Sequence, residues 1–221
     1  MRVLITGGGT SERIDDVRFI TNFSTGTTAA LIADYFSSQG AGVKLLYGRN
    51  AKSGKGTYER ETFEGFQSLN DLMKKELSAI SYDAVIHLAA VSDFSVESIE
   101  LNGKRYAPQN LRKMDSEGSV SLHLKKNFKI LDHLKEYSKN INLCVIGFKL
   151  TSLYSEEERQ KAIAKILTIG HVDYVVQNDL SEITKEKHIA CLYDQKQNLI
   201  RKTESKEELA QGLYELLRGR V

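Results

Sequence analysis

A run of small and polar residues follows the first apolar stretch of the chain: Thr6-Gly7-Gly8-Gly9-Thr10-Ser11-Glu12. Glycines let backbone amides approach an anion that a Cβ would hold off, so this turn is a candidate phosphate loop. No Gly-Lys-Ser/Thr follows, which excludes a Walker loop. Gly7 and Gly9 fit a dinucleotide fingerprint, but Glu12 stands where its third glycine belongs. The next helix does not begin there either. The chain first runs through Asp15-Asp16-Val17-Arg18 and Asn22-Phe23-Ser24-Thr25-Gly26. Ser24 or Thr25 is expected to cap that helix, leaving its first amides free for a second anion. The bland reading of the glycine run is a tight turn.

The remaining chemistry-bearing residues narrow the reaction class. Gly48-Arg49 ends the second strand, where an NAD site carries an acidic residue. Arg49 suits a 2′-phosphate instead, which keeps NADP open. Val85–Ala90 with Val91-Ser92-Asp93-Phe94 has the look of a short-chain reductase. That chemistry needs a Tyr-x-x-x-Lys pair, and none of the 10 tyrosines has lysine four residues later. Among the 5 histidines no His-Glu-x-x-His pair occurs, and there is no Gly-x-Ser-x-Gly elbow. His87, inside an apolar strand, reads as a core histidine, and Cys144 as packing. Lys125-Lys126-Asn127-Phe128-Lys129 reads as a solvated face.

Elements of alternating type must position these residues. Strands are expected at Arg2–Thr6, Val43–Tyr47, Thr57–Phe63, Ala84–Ala89, Leu143–Gly147 and Val172–Val176, with a weak one at Val120–Leu124. Helices are expected at Thr25–Gln39, near Ser68–Leu77, and at Phe128–Tyr137, Glu156–Leu167 and Lys206–Leu217. Ile189–Tyr193 and Asn198–Arg201 suit a late hairpin. The alternation predicts an α/β, Rossmann-like fold: a mainly parallel sheet with helices on both faces. Phe94–Met114 is the exception. It holds the only proline, Pro108, little periodicity, and the basic residues Lys104, Arg105, Arg112 and Lys113. It reads as a flap or dimerisation arm inserted in a single domain spanning 1–221.

Composition bounds the partners. The 221 residues carry 31 Lys plus Arg against 29 Asp plus Glu, a net charge of +2 that argues against nucleic acid or an anionic membrane as the main partner. Two cysteines, Cys144 and Cys191, are too few for a disulfide framework or a cysteine-rich zinc site. No apolar run approaches the roughly 20 residues of a membrane span, and no secretory leader is read. A reducing, cytoplasmic location is the expectation.

Taken in order, five segments resemble the phosphopantothenate–cysteine ligase family (phosphopantothenoylcysteine synthetase) of coenzyme A biosynthesis. They are Ile5–Glu12, Val17–Gly26, Ala89–Phe94, Ile146-Gly147-Phe148-Lys149 and Gln177-Asn178-Asp179. The likeness covers nearly the whole chain, in the manner of a short, single-function bacterial form. The longer form carries a flavin-dependent decarboxylase in front, so no bound flavin is expected and the decarboxylase is expected as a separate next enzyme. The resemblance implies joining of 4′-phosphopantothenate to cysteine through an acyl-nucleotidylate, with CTP or ATP as co-substrate, Mg²⁺ on the triphosphate, and a homodimer.

The resemblance also implies roles by position. Gly7, Gly8, Gly9, Thr10, Ser24, Thr25 and Gly26 match the phosphate-handling loops. Asn22 matches the asparagine that holds the activated acyl group. Ala89, Ala90 and Asp93 match the loop after the central strand, with Ala90 giving backbone contacts and Asp93 reading base or ribose. Phe148 matches the aromatic near the base, and Asn178 and Asp179 the strand-end pair. Lys113 matches the flap lysine, and Lys165 is a weaker triphosphate contact. No protein-borne metal ligands are assigned. The flap reads Asn110-Leu111-Arg112-Lys113, and Thr27 and Ala29 replace a basic residue and a glycine after the Ser-Thr-Gly turn. The base therefore stays open between CTP and ATP. Two other readings stay open as well: an atypical NADP-dependent reductase and a non-catalytic nucleotide sensor.

Overall fold

Arg2–Gly7 forms the first strand, β1, in the computed structural model, which describes residues 1–113, 119–152, 155–167, 171–184 and 187–220. The hairpin β2 (Ser11–Arg13) and β3 (Phe19–Thr21) precedes α1 (Thr27–Ser38) and β4 (Gly42–Gly48). Next come β5 (Glu59–Phe63), α2 (Phe66–Ala79) and β6 (Ala84–His87). The segment after β6 holds β7 (Phe94–Leu101), β8 (Lys104–Tyr106) and β9 (Val120–Lys126). Then follow α3 (Leu134–Tyr137), β10 (Cys144–Thr151), α4 (Glu156–Leu167) and β11 (Tyr174–Asp179). The hairpin β12 (Ala190–Asp194) and β13 (Leu199–Thr203) and the helix α5 (Lys206–Arg218) complete the chain.

Eight strands make one sheet in the order β13-β12-β11-β10-β6-β1-β4-β5. Its six strands from β5 to β11 run parallel, and only β12 and β13 are antiparallel additions. A parallel sheet needs cover on both faces, so its strands are apolar at consecutive positions. β1 shows this: Val3 and Ile5 pack under α1 and α5 with Ile32, Phe36 and Leu213, while Leu4 packs under α2 and α4 with Leu69, Met73 and Ile163. The predicted Rossmann-like architecture is the observed one.

The insert differs from expectation. Phe94–Met114 was expected to be irregular, yet β7 pairs with both β8 and β9 in a three-stranded antiparallel sheet; Met114 itself lies outside the described residues. A bulge between Val96 and Ser98 explains the missing periodicity. It places the buried Val96 and Ile99 three residues apart instead of two. The turn from β7 to β8 is Asn102-Gly103, both with positive φ (51° and 77°), the conformation a two-residue hairpin demands. This sheet packs on the β2–β3 hairpin through its own small core of Ile14, Val96, Ile99 and Leu111. The expected helix Phe128–Tyr137 is shorter too: a 3-10 turn over Ile130–His133 leads into the single turn of α3.

Candidate functional site

β1 continues through α1 into β4 on one side, while β6 lies on the other, so the chain leaves the sheet in opposite directions at the β1/β6 junction. Such a switch point opens a crevice beyond the carboxyl ends of the strands. A cleft of about 750 Å³ occupies it. Gly7 and Gly8 at the end of β1 line it, together with 22–29, 87–93, 128–132 and 148–150, and with Lys165 of α4, Asn178 and His188.

The glycines are demanded by backbone and space. Gly8 and Gly26 have φ of 81° and 70°, and a Cβ on either would stand 2.5 Å and 2.8 Å from the Ala51 Cβ. Neither Ser24 nor Thr25 is the cap residue of α1: Gly26 takes that position, and Thr25 Oγ1 accepts only a long bond from the first helical amide, that of Thr27 (3.4 Å). The first turn carries no acidic residue. The amino end of α1 therefore meets the cleft with its positive dipole end uncompensated. Ser24, Thr25 and Gly26 all line the cleft beside it.

The other expected phosphate residues position this loop instead of lining the cleft. A Cβ on Gly9 would stand 2.1 Å from the Asn22 carbonyl oxygen, so glycine allows the two segments to touch. Thr10 is wholly buried. Its N–H donates to the Ala90 carbonyl (3.2 Å), and its Oγ1 accepts from the Ser92 amide (2.9 Å). Ala90 N–H in turn donates to the Gly8 carbonyl (2.8 Å). Both backbone groups of Ala90 are thus committed within the protein. Ala90, expected to give backbone contacts, clamps the glycine loop to the loop after β6 and also lines the cleft.

Ala89 N–H is likewise used, by Thr6 Oγ1 (3.2 Å), though its methyl group lines the cleft. Asn22 Nδ2 donates to the Val91 carbonyl (3.1 Å), which fixes an exposed amide at the cleft edge. Asp93, also exposed at the edge, is ion-paired with Lys129. Phe148 is half-buried, packed on the main core and facing the cleft at once. Asn178 donates to the Ile189 carbonyl (2.8 Å) and lines the far end. Asp179 points away: wholly buried, it accepts from Thr151 Oγ1 and Ser181 Oγ (both 2.6 Å). Lys165 is exposed and lines the α4 side. Lys113 is exposed outside the lining, next to Arg112, whose carbonyl accepts from the Asp16 amide (2.9 Å).

Sequence reasoning missed three residues. Glu12 is buried and outside the cleft lining. Its Oε1 accepts from the Phe66 amide at the start of α2 (2.8 Å), and its Oε2 from Ser95 Oγ (2.8 Å). Lys149 is half-buried in the cleft, signalled only by its place beside Phe148. His87 lines the cleft as well as contacting the core, and burial pushes its imidazole down to about 4. Arg49, the candidate 2′-phosphate ligand, instead faces Glu64 (3.6 Å) outside the cleft lining.

The family model of the DNA/pantothenate metabolism flavoprotein C-terminal domain matches residues 1–219. The chain belongs to this family. The coenzyme A biosynthesis bifunctional protein CoaBC of Thermococcus kodakarensis is 33% identical over 217 residues, 97% of this chain and 50% of that protein. The CoaBC of Methanocaldococcus jannaschii is 28% identical over 221 residues, 100% of this chain and 51% of that protein. The chain thus spans about half the length of these relatives. The crystal structure of the DNA/pantothenate metabolism flavoprotein from Streptococcus pneumoniae superposes with a TM-score of 0.88 at 28% identity, covering 100% of both chains. As a member of this family the chain keeps the fold over its full matched length, and no helix among its described residues is long and apolar enough to cross a membrane.

Proposed function

We propose that this family member is a phosphopantothenate–cysteine ligase of coenzyme A biosynthesis. The observation that carries the reading is the uncapped amino end of α1 beside Gly7 and Gly8, in one cleft with Asp93, Phe148 and Asn178. An anion seat lies beside groups suited to a nucleoside, and the family relatives are named for coenzyme A biosynthesis.

The chemistry follows from an unreactive carboxylate. The carboxylate oxygen of 4′-phosphopantothenate attacks the α-phosphorus of CTP or ATP, and pyrophosphate leaves. The cysteine amine then attacks the acyl carbon of the mixed anhydride, loses a proton, and CMP or AMP leaves. Negative charge grows on the phosphoryl and carbonyl oxygens, where fixed donors lower the barrier. Gly7, Gly8 and the 24–26 turn hold phosphoryl oxygens at the end of α1. Asn22 donates to the acyl intermediate, Asp93 and Asn178 read ribose or base, and Phe148 stacks near the base. Gly9, Thr10, Ala90 and Asp179 act by holding these segments in place. Lys165 contacts the triphosphate, and Lys113 closes over the intermediate from the arm, excluding water from the anhydride.

Magnesium on the triphosphate offsets its charge and orients it. Asp93 and Asp132 are the cleft carboxylates able to reach such an ion, and among the described residues no three His, Cys, Asp or Glu groups converge. The reaction as written uses no flavin, and its product suits a decarboxylase. The whole of 1–221 serves as one unit in the reducing cytoplasm, with Cys144 and Cys191 as free thiols, and the arm joins two copies.

Pyrophosphate release tests the reading, with purified protein, 4′-phosphopantothenate, cysteine and Mg²⁺, and CTP or ATP in separate runs. Release that depends on phosphopantothenate is expected, and the faster triphosphate identifies the base. A folded protein that releases none with either triphosphate refutes ligation.

A further inference from the structure

The ligation brings two phosphate-bearing molecules into one cleft, but the amino end of α1 serves only one face of the sheet. Val85 and Leu4 belong to the core under α2 and α4, so Thr6 and His87, two residues further along their strands, project to that same face. His87 pairs in register with Gly147 of β10, which puts Lys149 on the same face one step nearer the cleft. Lys165 reaches the cleft from α4, above it.

The hydrogen bonds around His87 point to one tautomer. Thr6 is wholly buried, and its Oγ1 already accepts from the Ala89 amide (3.2 Å). The remaining partner of that hydroxyl is His87 Nδ1 (2.9 Å). A buried hydroxyl donates its proton, so Nδ1 is the acceptor and the ring proton sits on Nε2. Nε2 has no hydrogen-bond partner among the described residues, and it is absent from the buried polar atoms left unpaired, so it meets the cleft. The ring is neutral at physiological pH because burial disfavours its charged form. Lys149 and Lys165 have no carboxylate partner among the described residues. The other charged groups lining this side are Lys129, paired with Asp93, and Asp132.

We propose that His87 Nε2–H and Lys149 form a second anion seat on the α4 side of the cleft, taking phosphate oxygens that the amino end of α1 does not. The inference rests on the ligase reading for its ligand. That ligand is a phosphate group, either the monoester of phosphopantothenate or the terminal phosphates of the nucleotide.

Titration calorimetry on the full chain separates the two sources, using phosphopantothenate alone and the Mg²⁺-loaded triphosphate alone. His87→Phe removes the donor, His87→Gln returns an N–H, and Lys149→Gln removes the charge. The expected result is a loss of about 10- to 100-fold for one ligand in both His87→Phe and Lys149→Gln, the other ligand staying within about threefold, with partial recovery in His87→Gln. The wild-type to His87→Phe affinity ratio should stay flat between about pH 6 and 9, since a neutral donor does not titrate there. Carbon-13 histidine spectra should show the Nε2–H tautomer, shifted by Thr6→Val. Unchanged affinities in a folded Lys149→Gln, different ligands weakened by the two variants, or an Nδ1–H tautomer would overturn the seat. Binding with the expected losses but no pyrophosphate release would sink the ligase reading and leave the seat standing.

Discussion

Glu12 occupies the position where a dinucleotide site carries its third glycine, and its carboxylate ties three segments together. It caps α2 at the Phe66 amide and holds Ser95 Oγ at the start of β7. The sequence exposes the broken fingerprint but not its reason, because the capped helix begins 54 residues away. Removing the side chain strands the buried Phe66 amide, while Ser95 Oγ keeps Asn127 as its partner, at a cost of about 1–3 kcal/mol. Glu12→Ala should therefore lower the urea midpoint with an unchanged slope. Glu12→Gln should lose less, since its oxygen can still accept from Phe66 and its amide can donate to Ser95 Oγ. Equal midpoints for Glu12→Ala and wild type would remove the capping role. Asn22, Asp93, Phe148 and Asn178 were legible by resemblance and do meet the cleft. Thr10, Ala90 and Asp179 carry equally strong motifs, but their polar groups are consumed by partners that only the folded chain brings near.

At the scale of elements, the start of α1 decides most of the site. Its periodicity was plain from Ala29, Ile32, Ala33 and Phe36, all buried on one face. Its cap was not, since two hydroxyls precede the glycine that takes the position. An uncapped helix end and an anion seat make opposite demands on the same charge. Thr27→Asp should satisfy the dipole and raise stability by about 0.3–1 kcal/mol, while repelling a bound phosphate. The expected outcome is a higher melting temperature with triphosphate affinity reduced by about tenfold or more, read by thermal unfolding and titration on the same sample. Affinity that is unchanged or improved would move the phosphate away from α1. The arm was the least legible element. Its bulge disrupts the alternation that marks a strand, and the Asn102-Gly103 turn was the one local signal that could have exposed it.

At the scale of the molecule, strand and helix alternation suffices for the sheet and hence for a crevice at its switch point, because right-handed parallel crossovers leave few other arrangements. It does not say what the arm meets. β9 has β7 on one side and no strand on the other among the described residues. Its exposed side chains include Val120 and Leu124, at 43% and 46%, and the nearby hairpin exposes Val17 and Phe19, at 59% and 41%. A three-stranded sheet on a core as small as Ile14, Val96, Ile99 and Leu111 gains little stability alone, and an open apolar edge invites another strand. A second copy would meet both needs through a two-fold contact, with each apolar patch covering the other. Sedimentation at micromolar concentration should show a dimer. Leu124→Lys, which sets a charge on that edge away from the main cores, should weaken the dimer by at least about tenfold while leaving the melting of the eight-stranded sheet's cores in place. If the arm also carries Lys113 over the cleft, that monomer should lose turnover more than triphosphate affinity. A wild-type monomer, or a Leu124→Lys dimer as tight as wild type, would separate the arm from assembly and leave it with the cleft alone.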